Sequence, residues 1–237
     1  MKKNVLVFPC GSEIGLEINR ALADSTHFNL FGANNMDDHG KYVYQHYIEI
    51  AASPEEPEFI EQLNNIIADH QIDFIIPAHD SAIVFMAEYE SLINATIITS
   101  SAETCRLCRS KGDTYCFFQQ FLPTPLVYQS NDNLAFPLFL KPDIGQGSRG
   151  TYIVNTREEM DFYMEKDDTL LVLEYLPGME YTIDCFTNRE GTLLFAEGRV
   201  RNRIMNGISV SSWPVKNEQF QKLAEQINQR LVFRGVW

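Results

Sequence analysis

Two periodicities alternate along the first hundred residues, and that alternation constrains the fold more than any other feature of the chain. NVLVF (4–8), FNLFGA (28–33), IDFIIPA (72–78) and ATIITS (95–100) are apolar runs with the length of buried strands. Helical patterns over 14–24, 57–70 and 81–92 separate them. The clearest is 57–70, where Phe59, Ile60, Leu63, Ile66 and Ile67 share one face and Pro54 and Pro57 stand at the start, where proline is tolerated. Strand–helix–strand order with short connections requires parallel pairing and helices on both sheet faces. Residues 1–105 are therefore expected to be a doubly wound α/β domain. Ligands of such sheets sit beyond the carboxyl ends of the strands. Gly11, Ser12, His79 and Asp80 stand there and are expected to line a substrate pocket, with Asp80 equally readable as a helix N-cap.

The pattern changes after helices around 101–121. FPLFLKP, GTYIV, TLLVLEYL, YTIDCFTN and TLLFAEGRV read as strands joined by hairpin-length turns, with a helix at 157–165 and a last one at 218–232. Asn188 to Gly191 form a natural hairpin tip. Residues 106–237 are thus expected to be α+β, with mainly antiparallel sheets and a small subdomain near 112–176.

Charge narrows the partners. The chain of 237 residues carries 32 acids against 19 bases, a net charge of −13, which repels nucleic acid and anionic membrane at long range. A polyanion site must therefore concentrate its few bases. The apolar run before Pro9 is too short for a signal peptide, and no stretch approaches the roughly 18 apolar residues of a membrane span. The chain reads as cytoplasmic. Five scattered cysteines make a disulfide framework a poor fit, and Cys105 with Cys108 is a lone CxxC, better read as two small helix residues than as a metal site.

Lys141 closes an apolar strand, and a loop with glycines at 145, 147 and 150 follows at once. A strand-end lysine usually snorkels to solvent. Beside a loop whose glycines let backbone N–H groups approach an anion, it reads instead as part of a phosphate site. The P-loop pattern is absent, because the lysine precedes the glycines. Further on, LVLEYLPGMEY (171–181) runs an apolar strand into an acid, a Pro-Gly turn and a second acid. A broken strand there exposes backbone groups able to pair with an adenine edge, and a carboxylate beyond it can accept both hydroxyls of a ribose. The other glycine pattern, Gly11 and Gly15, lacks the third glycine of a dinucleotide fingerprint. Asn34 and Asn35, not an acid, end the second strand. An NAD-binding Rossmann-type protein is the alternative that this turn leaves open.

FPLFLKPDIGQGSRG (136–150) followed by LVLEYLPGMEYTIDCF (171–186), with SKGD (110–113), Phe117, Phe118, Pro123 and Pro125 ahead of them, resembles the ATP-grasp superfamily. The variety is similar to the ATP-binding domains of the carbamoyl-phosphate synthase large subunit and related carboxylate–amine ligases. The resemblance implies a pre-ATP-grasp domain in front and an ATP-grasp fold behind. It implies that Lys111 and Lys141 contact nucleotide phosphates and that Gly145, Gly147, Ser148 and Gly150 close over them. Glu174, Tyr175 and Leu176 would read adenine and Glu180 would hold the ribose. Arg199, Arg201 and Arg203, with Gly207 and Ser209, would face the acyl-phosphate and the acceptor, Arg201 and Arg203 as catalytic residues and Ser209 toward the substrate. The implied partners are ATP, Mg2+ and a small carboxylate, and the implied reaction passes through an acyl-phosphate. A non-catalytic nucleotide-binding or assembly module of the same fold is the other reading.

The family's magnesium ligands lie on two later strands, so none is expected before residue 237. LVFRGVW reads as a strand that starts and is cut. The expectation is an incomplete, C-terminally truncated ATP-grasp fold that binds nucleotide weakly, has impaired catalysis and offers a sheet edge for a homodimer.

Overall fold

In a computed structural model, described over residues 2–129, 133–205 and 207–237, the apolar runs of the first hundred residues form parallel strands. The elements in order are β1 (Lys3–Phe8), α1 (Glu13–Leu22), β2 (Phe28–Asn34), α2 (Gly40–Val43), β3 (His46–Glu49), α3 (Phe59–His70), β4 (Phe74–Pro77), α4 (Asp80–Glu88) and β5 (Thr96–Ile97), with one 3₁₀ turn at Glu90–Leu92. They make a five-stranded sheet of order β3-β2-β1-β4-β5, parallel throughout. Alternation along β1 divides the core. Leu6 and Phe8 pack with Phe59, Leu63 and Ile67 of α3 and Met86 of α4, while Val5 and Val7 pack with Tyr44 and with Ile18 and Leu22 of α1. A strand buried on both faces must be apolar at every position, which is why β1 is a continuous run. The expected strands number four; β3 is the fifth. It is an edge strand, half-exposed and carrying His46 and Glu49, so it has no apolar run to announce it.

The chain divides into two compact units. One holds the residues up to Cys105 together with Phe233–Gly235, and the other holds Arg106–Val232 with Val236 and Trp237. Ahead of the second unit's strands run α5 (Ala102–Arg109) and α6 (Lys111–Phe118). Then come β6 (Val127–Tyr128), β7 (Leu138–Pro142), β8 (Tyr152–Val154), α7 (Arg157–Met164) and β9 (Leu170–Glu174), in an antiparallel sheet of order β6-β9-β7-β8. Leu138, Leu140, Val154, Leu170 and Met160 of α7 form its core.

The last elements are β10 (Tyr181–Thr187), β11 (Leu193–Met205), β12 (Ile208–Val215), α8 (Glu218–Asn228) and β13 (Gly235–Val236). Their sheet has the order β12-β11-β10-β13. Trp237 and Cys185 exchange both backbone hydrogen bonds, at 3.0 and 2.9 Å, so the last residues run antiparallel to β10. The Trp237 indole N–H donates to Thr187 Oγ1 at 2.8 Å, and that hydroxyl donates to Asn228 at 2.7 Å. Helix α8 lies over Gly198, where a Cβ would stand 2.3 Å from the Phe220 ring. It ends at Asn228, four residues short of the expected end. Strand β12 was not expected either; it is mostly exposed, and its serines and Pro214 interrupt the apolar signal. Among the described residues no helix is long and apolar enough to cross a membrane.

Leu140 is fully buried in the small antiparallel sheet. Leu140→Ala is expected to cost about 2–5 kcal/mol, read as a lower urea midpoint of the second unit by fluorescence. An unchanged midpoint would contradict this core.

Candidate functional site

Strand β7 places Lys141 opposite Leu171 of β9, on the sheet face away from the Leu138–Leu140 core. Helix α6 covers that face, and its Tyr115 is the phenol on which Lys141 rests. The ammonium donates to the Tyr115 hydroxyl and lies 5.0 Å from the ring centroid. Among the described residues no carboxylate pairs with Lys141. It is a half-buried cation held by a phenol and a ring face, which leaves its charge uncompensated.

Lys111 opens α6 and is also turned toward the loop. Its ammonium donates to the carbonyls of Asp143 at 2.9 Å and Gly145 at 3.1 Å. Asp143, which the sequence reading passed over, anchors the same corner. Its carboxylate accepts the Gly112 N–H at 2.7 Å and the Ser110 hydroxyl at 3.1 Å, which satisfies the start of α6. Lys111, expected at the phosphates, is thus seen gripping the base of the glycine loop. Nothing short of the tertiary fold signals this pairing of 110–112 with 143–145.

The loop runs Gly145 to Gly150. Gly147, Ser148 and Gly150 have φ of 65°, 54° and 69°, the left-handed region that glycine enters at no cost and serine does not. Thr151 Oγ1 donates to the Ser148 carbonyl at 3.0 Å and fixes the return.

On the side expected to read adenine, Glu174 ends β9. Its carboxylate accepts the Leu126 N–H at 2.9 Å, and its own N–H donates to the Leu126 carbonyl at 3.0 Å. Tyr175 is half-buried, and Leu176 is exposed with the chain out of ladder pairing, so backbone groups are presented there. Glu180 is exposed and is bound by Arg201 of β11, whose guanidinium also donates to the Gly207 carbonyl. Arg201 is mostly buried, and its Nε–H has no acceptor among the described residues. Irregular register between Arg201 and Ile204 marks a bulge that re-aims these side chains, and Arg203 stands exposed beside Ser211. Ser209 donates to the Ser211 carbonyl at 3.3 Å. Lys111, Lys141, the loop, Glu174–Leu176, Glu180, Arg201, Arg203 and Ser209 thus all belong to the second unit.

Magnesium finds no cage here. Asp184 carries Arg199 at 2.7 and 3.3 Å, and Glu180 carries Arg201. A guanidinium already on a carboxylate opposes a divalent cation. Among the described residues no three His, Cys, Asp or Glu side chains group as metal ligands, so the residues present do not fit the ion.

Gly11, Ser12, His79 and Asp80 stand at the strand ends of the first unit, and their geometry is that of helix caps. Ser12 Oγ accepts the Gly15 N–H at 2.9 Å and lies 2.7 Å from the Ala78 carbonyl. His79, not Asp80, is the N-cap of α4: its Nδ1 accepts the Ser81 N–H at 3.2 Å. Asn34 ends β2, as expected, and the nearby acid comes four residues later. Asp38, which accepts from Asn34 at 2.6 Å and from the Gly40 N–H at 2.9 Å, lies over Gly11; a Cβ there would stand 1.9 Å from its carboxylate. The carboxylate fills the place a pyrophosphate would need, which weighs against dinucleotide binding at this turn.

Comparison with known proteins adds independent weight. The family described as "ATP-grasp in the biosynthetic pathway with Ter operon" matches residues 166–237. The D-alanine–D-alanine ligase of Petrotoga mobilis is 31% identical over 103 residues, 40% of this chain and 35% of the ligase. The carbamoyl phosphate synthase large chain of Clostridium botulinum is 29% identical over 94 residues, 36% of this chain and 9% of the synthase. The chain thus spans only a minor part of these relatives. Among solved structures, carboxyaminoimidazole ribonucleotide synthase from Aspergillus clavatus complexed with ATP superposes with a TM-score of 0.73 at 17% identity, over 99% of this chain and 65% of that one. The biotin carboxylase domain of Hydrogenobacter thermophilus 2-oxoglutarate carboxylase, solved with MgADP, gives 0.72 at 16%, over 100% and 60%. At such identities the likeness establishes the fold: a parallel five-stranded α/β sheet followed by two antiparallel sheets.

The strand-end corner of the first unit is closed to thiol chemistry. Burial, with the Asp38 charge adding, pushes the Cys10 thiol up to about 12. The thiolate is the reactive form, so it is scarce at pH 8. Iodoacetamide at pH 8 is expected to label exposed Cys116 and to spare Cys10 until the unit unfolds. Peptide mass mapping checks this, and native labelling of Cys10 at the rate of Cys116 would contradict it.

Proposed function

We propose that this chain is an ATP-grasp protein, as the family match over residues 166–237 supports, and that its second unit binds ATP and serves as the nucleotide-binding body of an ATP-dependent carboxylate–amine ligase. The observation that carries the reading is Lys141, a half-buried ammonium with a phenol as partner and no counter-ion among the described residues, next to a loop of left-handed glycines. A triphosphate supplies the missing negative charge, and the loop offers backbone N–H groups to its oxygens. The out-of-ladder backbone after Glu174 suits the adenine edge. Glu180 suits the ribose hydroxyls once it exchanges Arg201 for them.

In the ligase reading the γ-phosphoryl group passes to an oxygen of a small carboxylate, ADP leaves, and an amine then displaces phosphate from the acyl carbon. The protein's share is to position the groups and to balance charge. Exposed Arg203 is the guanidinium proposed to meet the carboxylate, with Ser209, paired with Ile204 on the neighbouring strand, toward the substrate. The misfit of the described carboxylates to magnesium favours a narrower activity for this chain by itself: nucleotide binding without turnover, as in the non-catalytic module reading.

Lys141→Ala is expected to weaken ATP binding about tenfold or more, the scale of one charged hydrogen bond, in isothermal titration of the folded variant. ATP binding as tight as the parent's would overturn the assignment.

A further inference from the structure

The glycine loop is braced from outside as well as from its base. Gly207 lies in the turn after β11, with φ of 74°. A Cβ built on it would stand 2.4 Å from the carbonyl carbon of Gly147, 2.6 Å from its Cα and 2.8 Å from the Ser148 N. Those distances are far inside van der Waals contact, and every atom they involve is backbone. No rotamer change can relieve them. The two chain segments touch main chain to main chain, and a side chain at 207 would push them apart.

One residue sets the position of that turn. Arg201 donates to the Gly207 carbonyl and, through the other arm of its guanidinium, to the Glu180 carboxylate. The Arg201 backbone N–H also donates to the Glu180 carbonyl, at 3.1 Å. Its planar fork therefore holds two groups at once: the acid proposed for the ribose and the turn on which the phosphate loop rests.

We propose that Gly147–Ser148 and Gly207 form a backbone-to-backbone latch, set by Arg201, that holds the phosphate loop closed and must part to admit or release a nucleoside triphosphate. Arg201 is then a positioning residue, in place of the catalytic role expected from the sequence. Ribose hydroxyls that take Glu180 from Arg201 loosen the hold on the Gly207 carbonyl, so the nucleotide's sugar and the loop over its phosphates report to each other. This coupling rests on the ATP-binding reading; the latch itself rests on the Gly147–Gly207 approach and the Arg201 hydrogen bonds.

Arg149 lies exposed on the loop and supplies a trypsin site there, while Arg189 lies exposed in the turn between β10 and β11, where the latch does not act. Cleavage of a transiently opened segment tracks the population of its open form. The test is site-resolved tryptic cleavage of the unliganded full chain, followed by mass spectrometry. Gly207→Ala and, independently, Arg201→Gln are each expected to speed cleavage after Arg149 about tenfold, with cleavage after Arg189 unchanged. An unchanged Arg149 rate in both folded variants overturns the latch. So does a rise at Arg189 that matches the rise at Arg149, which would mean general loosening. ATP titration of the parent separates the two ideas: faster Arg149 cleavage without ATP binding in any chain sustains the latch and sinks the function, and ATP binding with unchanged cleavage does the reverse.

Discussion

An ammonium partly withdrawn from water, with no carboxylate among the described residues to meet it, is the constraint around which the second unit is arranged. Lys141 sits on a strand whose opposite face is the sealed core, so its side chain is committed to the face under α6. Desolvating a charge without a counter-ion is unfavourable. Tyr115 offsets part of that cost with its hydroxyl and ring. The remainder is what a bound polyanion relieves. The neighbouring elements keep this arrangement open: Asp143 and Lys111 spend their charges on the start of α6 and on the base of the loop, and so leave Lys141 unneutralised.

The acids are handled in the opposite way. In a chain of net charge −13, bare carboxylates around the proposed nucleotide site would repel a nucleotide. Arg201 and Arg199 cover Glu180 and Asp184. The same pairing explains why these acids do not present a magnesium cage, and it ties Glu180, the acid proposed for the ribose, to the Gly207 turn. Charge concealment and mechanical bracing come from one guanidinium.

How far the sequence reveals this depends on the range of the interaction. Strands buried on both faces announce themselves, as at 4–8 and 72–78, because the parallel sheet admits only apolar residues there. Edge strands do not: β3 carries His46 and Glu49, and β12 mixes serines with exposed Ile208 and Val210. Lys141 and its glycines are neighbours in the chain and stand out together. Asp143 on α6, Asp38 over Gly11 and Gly147 against Gly207 each join segments distant in sequence, and no local pattern encodes them. The N-cap shows the same limit at short range: composition favours Asp80, but backbone geometry selects His79.

The most direct measurement is a crystal structure of this chain with a non-hydrolysable ATP analogue. The account requires phosphate oxygens within hydrogen-bonding distance of Lys141 Nζ and of N–H groups in residues 145–150, with the sugar beside Glu180. Phosphates at the Gly11–Gly15 turn, or a bound nucleotide that leaves Lys141 against Tyr115 alone, would contradict it.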